Sequence, residues 1–248
     1  MRFISIHMAN ADTEAGVPPA PELIQAMGAL MGEVAQSGEA EAGEGLSASS
    51  RGVRLNYKNG KRSETKGPFT PGNELTAALT IVKVADLEAA KPWADRHAQI
   101  FGDIEIDIRP IHEPWDLGLM PPPPAGTPLR YMLQIKADAK SESGTPPTAA
   151  QFAALHQLHA DMKAAGVFVT AEGIRPSSEG KRVLYGAHGA ERRVIDGPFT
   201  ESKELIAGYA IMNVPNIARA LYWADRFAAC FPAVNVDVRP LYQPSDAA

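Results

Sequence analysis

The sequence predicts an α+β protein made of two tandem ferredoxin-like (split βαβ) domains, joined so that their sheets confront each other in an intramolecular barrel-like arrangement. Three observations predict it. Gly67-Pro68-Phe69-Thr70 returns as Gly197-Pro198-Phe199-Thr200, Trp93 to Arg96 as Trp223 to Arg226, and Arg109-Pro110 as Arg239-Pro240. A repeat of about 120 residues is far longer than a solenoid unit and marks two globular domains, residues 1–119 and 129–248. Between them lies a proline-rich linker, residues 120–128, read as an extended spacer of roughly 25 Å. The last strand of each copy alternates cleanly, with Ile104, Ile106 and Ile108 against Glu105, Asp107 and Arg109, and with Val234, Val236 and Val238 against Asn235, Asp237 and Arg239. Helices therefore cover one sheet face, and the polar face opposite lines a cavity suited to a small molecule.

Each copy opens with a strand, RFISIHM or RYMLQIK, followed by a polar loop and a helix. Leu23, Ile24, Met27, Leu30, Met31 and Val34 form the stripe of a helix packed on one side, and Gly38 stops it. In the second copy Thr148 caps the helix, Phe152, Leu155 and Met162 continue the stripe, and Gly166 is the stop. A second strand ends at Glu44 or Glu172. A hairpin follows, turning at Asn59-Gly60 in one copy and at Gly186 to Gly189 in the other. After the Gly-Pro-Phe turn, ELTAALTIVKV and ELIAGYAIMNV are β-prone strands, and Asp86 or Asn216 caps the next helix. Leu87, Ala90, Trp93, Ala94 and His97 share one face of that helix, as do Ile217, Ala220, Trp223, Ala224 and Phe227.

The bulk numbers exclude several functions. The net charge is −5, and neither half carries the basic excess that a phosphate backbone requires, so no nucleic-acid partner is expected. Ser5, His7 and Asn10 interrupt any signal-peptide core and no apolar run reaches 18 residues, so a cytoplasmic protein with no membrane partner is expected. The single cysteine, Cys230, forms no internal disulfide and reads as a small buried hydrophobe. No glycine-rich phosphate loop opens a helix, and no nucleophile elbow surrounds a serine.

Asp196-Gly197-Pro198-Phe199 followed by TESKELIAGY resembles the motif of the DGPF group in the YCII-related family, and LRYMLQIKAD, MKAAGVFVTAEGI and VDVRPL stand where that family places its strands and helix end. The resemblance covers residues 129–242 well and 1–113 more weakly. It implies the dimeric α+β barrel fold, and for function a cofactor-free lyase or isomerase acting on a small polar or anionic molecule. The first copy departs from the motif: Lys66 replaces Asp196, Pro71, Gly72 and Asn73 replace Glu201, Ser202 and Lys203, and Leu79 replaces Tyr209. An active second half with a supporting first half is the expectation.

In relatives a helix histidine paired with an aspartate is suggested as catalytic, which points to His156 and Asp196. Histidine near its ordinary pKa exchanges protons at neutral pH, and a carboxylate orients the ring. The bland alternative for Asp196 is bonding to turn N–H groups. Glu172, Tyr209, Asp237 and Arg239 are the candidate ligand contacts, with Arg239 as an anion clamp or as a same-face partner of Asp237. His156 and His159 share a helix face, but no cluster of known spacing accompanies them, so no metal or other cofactor is expected. His159 and His7 read as core or rim histidines. A non-catalytic regulatory or protein-interaction module is the alternative function. A homodimer is the alternative assembly, although the fused halves already offer the pairing that single-domain relatives take from a second subunit.

Overall fold

The computed structural model describes residues 1–200 and 202–243, so Glu201 of the motif lies outside them. In chain order the elements are β1 (Arg2–Met8), α1 (Ala11–Glu14), α2 (Pro21–Ser37), β2 (Ala40–Gly45), β3 (Val53–Lys58), β4 (Lys61–Lys66), β5 (Thr76–Val84), α3 (Leu87–Phe101), β6 (Ile104–Pro110), β7 (Leu129–Lys136), α4 (Ala139–Glu142), α5 (Ala149–Ala164), β8 (Phe168–Gly173), β9 (Lys181–Tyr185), β10 (Arg193–Asp196), β11 (Ile206–Asn213), α6 (Ile217–Ala228) and β12 (Val234–Pro240).

Local chemistry sets most of the ends. Asp86, Thr148 and Asn216 cap α3, α5 and α6 through their side chains, which satisfies backbone N–H groups that the first turn leaves open. Gly38 ends α2 in the left-handed conformation at φ 68°. Asn59 and Gly60, at φ 52° and 71°, make the β3–β4 turn in the two-residue geometry that favours this pair. The loops after β1 and β7 each contain one helical turn, α1 and α4, closed by a capping box of Asn10 with Thr13 or Asp138 with Ser141.

Two six-stranded antiparallel sheets result, and neither is built from one sequence copy. Residues Leu46–Gly173 form one compact unit, with strand order β4-β3-β6-β7-β5-β8. Met1–Gly45 with Ile174–Ala248 forms the other, ordered β10-β9-β12-β1-β11-β2. Each unit takes its opening strand, helix and second strand from one repeat, and its hairpin, inner strand, helix and last strand from the other. The copies in sequence and the units in space therefore do not coincide.

The proline-rich stretch shows how this happens. It leaves β6 and enters β7, and these are adjacent strands of one sheet, with Pro110 opposite Tyr131. It is the connection between sheet neighbours and not a spacer between units. Ile111 N donates to Arg130 O at 3.0 Å and Arg130 Nη2 to Glu113 Oε2 at 2.8 Å, which pins both ends of the loop together.

In the contiguous unit α3 and α5 cover one sheet face. Val53, Leu55, Ile106, Ile108, Leu133 and Val82 pack there against Ala90, Ala94, Leu158 and Met162. The other unit repeats the pattern with Phe3, Val183, Val236 and Val238 against Ala220, Trp223 and Ala224, and Met27, Leu30 and Val34 of α2 join it. Met31, expected in that stripe, is half exposed. Cys230 packs against the same core, where burial pushes its thiol up. Among the described residues no helix is long and apolar enough to cross a membrane.

Candidate functional site

The helix-free face of the contiguous unit carries charge at almost no exposure. Cross-strand register sets Arg54 of β3 beside Asp107 of β6, and Asp107 beside Gln134 of β7. Arg54 clamps Asp107 in a fork, Nε to Oδ1 at 2.7 Å and Nη2 to Oδ2 at 2.8 Å, and its Nη2 also reaches Glu74 Oε1 at 2.9 Å. Lys136, at the end of β7, bonds to the Glu74 carboxylate and lies 3.0 Å from Asp107 Oδ2. Gln134 Nε2 donates to Thr76 Oγ1 at 2.8 Å. The side chains of Glu74 and Asp107 are 1% exposed and that of Lys136 5%.

Burial of charge on this scale perturbs titration. Burial, with the Arg54 charge second, pushes the Lys136 amine down to about 6, while the two neighbouring carboxylates pull in the opposite direction. Burial also pushes Asp107 up, against the pull of Arg54. Charge pairs this well enclosed are costly to assemble and add little net stability, so a cluster of them is a candidate site on physical grounds.

A cavity of about 250 Å³ reaches the cluster at the ends of β3, β6 and β7, and Lys136, Asn56, Glu105, Asp103 and Asp138 stand in its wall. Its carboxylates already have local duties. Asp103 Oδ1 accepts from Asn59 N at 2.8 Å, Asp138 caps α4, and Glu105 accepts from Asn56 Nδ2 at 3.0 Å. A larger hollow of about 380 Å³ between α3 and α5 has Arg96 as its one charged wall residue, paired with Asp161, and does not touch the cluster.

The repeated Gly-Pro-Phe turn supports this face. A Cβ on Gly67 or Gly197 would stand 1.8 Å from the carbonyl oxygen of Ser49 or Ser177, so only glycine fits. The Ser49 and Ser177 hydroxyls accept from Phe69 N at 3.0 Å and Phe199 N at 2.9 Å. Each phenylalanine ring then lies under an arginine, 4.7 Å from Arg54 and 4.5 Å from Arg182. The motif thus holds the guanidinium that clamps the buried aspartate, a role that cation–π geometry suits.

The residues singled out from sequence fall in different places. His156 is exposed on α5 of the contiguous unit, and Asp196 is exposed on β10 of the other. Asp196 bonds Lys181 across β9–β10 and, among the described residues, no turn amide. Glu172 sits in the contiguous unit opposite Leu79, whereas Tyr209 faces Glu44 in the other. Asp237 pairs with Arg182 at 2.6 Å, and Arg239 donates through Nε to Arg175 O at 2.9 Å. Tyr209, Asp237 and Arg239 do share one unit. His159 is half-buried against Phe168, its Nε2 without a hydrogen bond, and burial pushes it down to about 4. His7 stacks on Phe227 at 3.6 Å and lies 3.3 Å from Ser5 Oγ. No group of three or more His, Cys, Asp or Glu is placed to hold a metal among the described residues.

Sequence reasoning missed Lys136, Glu74 and Arg54. The available signal was the difference between copies: the position of Lys136 is Met8 in the first repeat. Met8 there accepts a weak bond from Ser202 Oγ at 3.9 Å, and Glu204, the twin of Glu74, holds Asn235 at 2.9 Å.

Fold and cluster together define an α+β protein with two six-stranded antiparallel sheets, each combining both repeats. The chain belongs to the YCII-related family, whose domain model matches residues 1–112 and again 129–241, as a tandem duplication requires. No curated protein and no solved structure matches the chain.

Proposed function

We propose that the chain binds a small polar organic molecule at the Lys136 cavity and acts on it as a lyase or isomerase that moves protons with its own side chains. One observation carries this reading: Lys136, whose amine is buried between two carboxylates, is one of the residues in the wall of a cavity of about 250 Å³. A neutral amine accepts a proton and a carboxylate with a raised pKa returns one, which is the pairing that proton transfer at carbon needs. Asp103, Glu105 and Asp138 outnumber the lysines of the wall, Lys58 and Lys136, which favours an uncharged or cationic group over an anion.

The reading places the working half in Leu46–Gly173 and uses residues of both repeats. His156 and Asp196 are surface groups in separate units, and the counterpart row of Arg182, Asp237 and Tyr209 lacks a lysine. The test is an amide NMR titration of the full chain with small hydroxy, keto and amino compounds. Shifts should gather at residues 103–105 and 136–138 and disappear in Lys136→Arg, while His156→Ala and Asp196→Ala leave them in place. Shifts centred on His156 or Asp196, or none at all, defeat the reading. In the absence of any shift, a protein-interaction module becomes the better account, with the cluster purely structural.

A further inference from the structure

We propose that Lys136 forms an imine with a small aldehyde or ketone admitted by the cavity at the ends of β3, β6 and β7. The inference rests on the ligand site proposed above and names its substrate class. An amine that stays neutral near neutral pH is a nucleophile toward carbonyl carbon, and burial beside a second cation is a recognised way to keep it so. Both conditions hold here: the Lys136 side chain is 5% exposed, and Arg54 bonds the same two carboxylates that Lys136 does. Burial and the Arg54 charge depress the amine to about 6.

The neighbours supply the remaining parts of the step. The Lys136 nitrogen adds to the carbonyl carbon as the C=O electron pair moves to oxygen. The nitrogen then sheds one proton to the adjacent carboxylate of Asp107 or Glu74, which passes it to the oxygen to give a carbinolamine; the same relay carries the second N–H proton to that hydroxyl, and the C–O bond breaks so that water leaves as C=N forms. One carbonyl and one amine become one imine and one water, with no oxidant or reductant. Asn56 and Glu105 share the cavity wall with the lysine and offer polar groups to a hydroxyl on the substrate. The position is specific to this unit, because its twin in the other sheet is Met8.

The experiment treats the full chain with glycolaldehyde and sodium cyanoborohydride, which reduces the imine to a stable secondary amine, and maps the adduct by peptide mass spectrometry. At pH 7 Lys136 should label at least about tenfold faster than exposed lysines outside the cavity, such as Lys61 and Lys140, because a larger share of its amine is neutral. The pH midpoint of its labelling should lie near 6 and not at the ordinary lysine value of 10.5. Lys136→Arg, which leaves a long basic side chain between the carboxylates, should lose that adduct and keep the fold seen by circular dichroism. Labelling of exposed lysines with Lys136 unmodified, or a midpoint near 10.5, overturns the imine. If the NMR shifts at residues 136–138 persist in that case, the binding site survives without the covalent step; if both fail, both readings fall.

Discussion

Asp107 and Gln134 are direct cross-strand partners in one sheet, although Asp107 belongs to the first sequence repeat and Gln134 to the second. The exchange has an energetic consequence. In the fragment 1–119, β5 would lose β7 and β8, its neighbours on both sides, and β1 would lose β11 and β12. The segment 46–173 keeps a whole sheet, two covering helices and a whole core. It should therefore unfold cooperatively on its own, whereas 1–119 and 129–248 should each fold only by associating with a partner that supplies the missing strands. Circular dichroism melts and sedimentation of the three fragments check this; a stable monomeric 1–119 beside an unfolded 46–173 would contradict the exchange.

Much of the fold was legible in the sequence because local rules decide it. The alternation of Ile104, Ile106 and Ile108, the Asn59-Gly60 turn and the caps at Asp86 and Asn216 each specify an element by neighbours only a few residues away. The pairing of β6 with β7 was not legible, since nothing in Tyr131 or Pro110 states which sheet β7 joins. The same gap hid the site. Lys136 stood in one copy and Glu74 and Asp107 in the other, so no reading of a single copy could bring them together. The Gly-Pro-Phe repeat drew attention to Asp196, which is exposed, while Gly197 packs against Ser177 O and Phe199 lies under Arg182.

That division of labour is measurable. Gly67→Ala drives a methyl group to 1.8 Å from Ser49 O, a backbone atom that cannot step aside, so the variant should fail to fold or lose several kcal/mol, on the order of 3 or more. Ser49→Ala leaves the buried Phe69 N–H without its acceptor and should cost about 1–3 kcal/mol. Gly28 and Gly32, exposed on α2 with nothing within 4 Å of an added Cβ, are the contrast: alanine there should stabilise by about 0.5–1 kcal/mol. Urea midpoints of the four variants decide.

Acid sensitivity should follow from the buried histidines. Burial pushes His7 down to about 3 and His159 to about 4, and lowers His97 as well. The unfolded chain takes up these protons near the ordinary value of 6.5, so between 6.5 and the lowered values it binds more protons than the fold does. Stability is then full above 6.5 and falls as pH drops through that window. Asp107, which burial raises, works in the opposite direction, so the informative quantity is a difference between proteins. His7→Ile installs the residue that the second repeat carries at Ile135, and it should lose less stability than the parent protein between about pH 7.5 and about pH 5. Equal losses would mean that His7 is not a neutral core residue.

The last expectation concerns the coupling of Lys136 to Glu74. Removing one partner of a buried pair strands the other in a medium that solvates it poorly, at a cost of about 3–5 kcal/mol. Lys136→Met imitates Met8 of the other sheet, but it leaves the Glu74 carboxylate with the Gly72 N–H and with Arg54, a guanidinium already forked onto Asp107. Adding Glu74→Gln removes the surplus negative charge while an amide can still accept from Arg54. The double variant should thus be more stable than Lys136→Met by about 1–3 kcal/mol, a coupling of the size expected for residues in contact. The other unit manages without the lysine because Glu204 is held by Asn235. Urea denaturation of the parent, both single variants and the double at about pH 5, below the lowered Lys136 value of about 6 so that the amine is charged, closes the cycle, and strictly additive losses would show that the two charges do not sense each other.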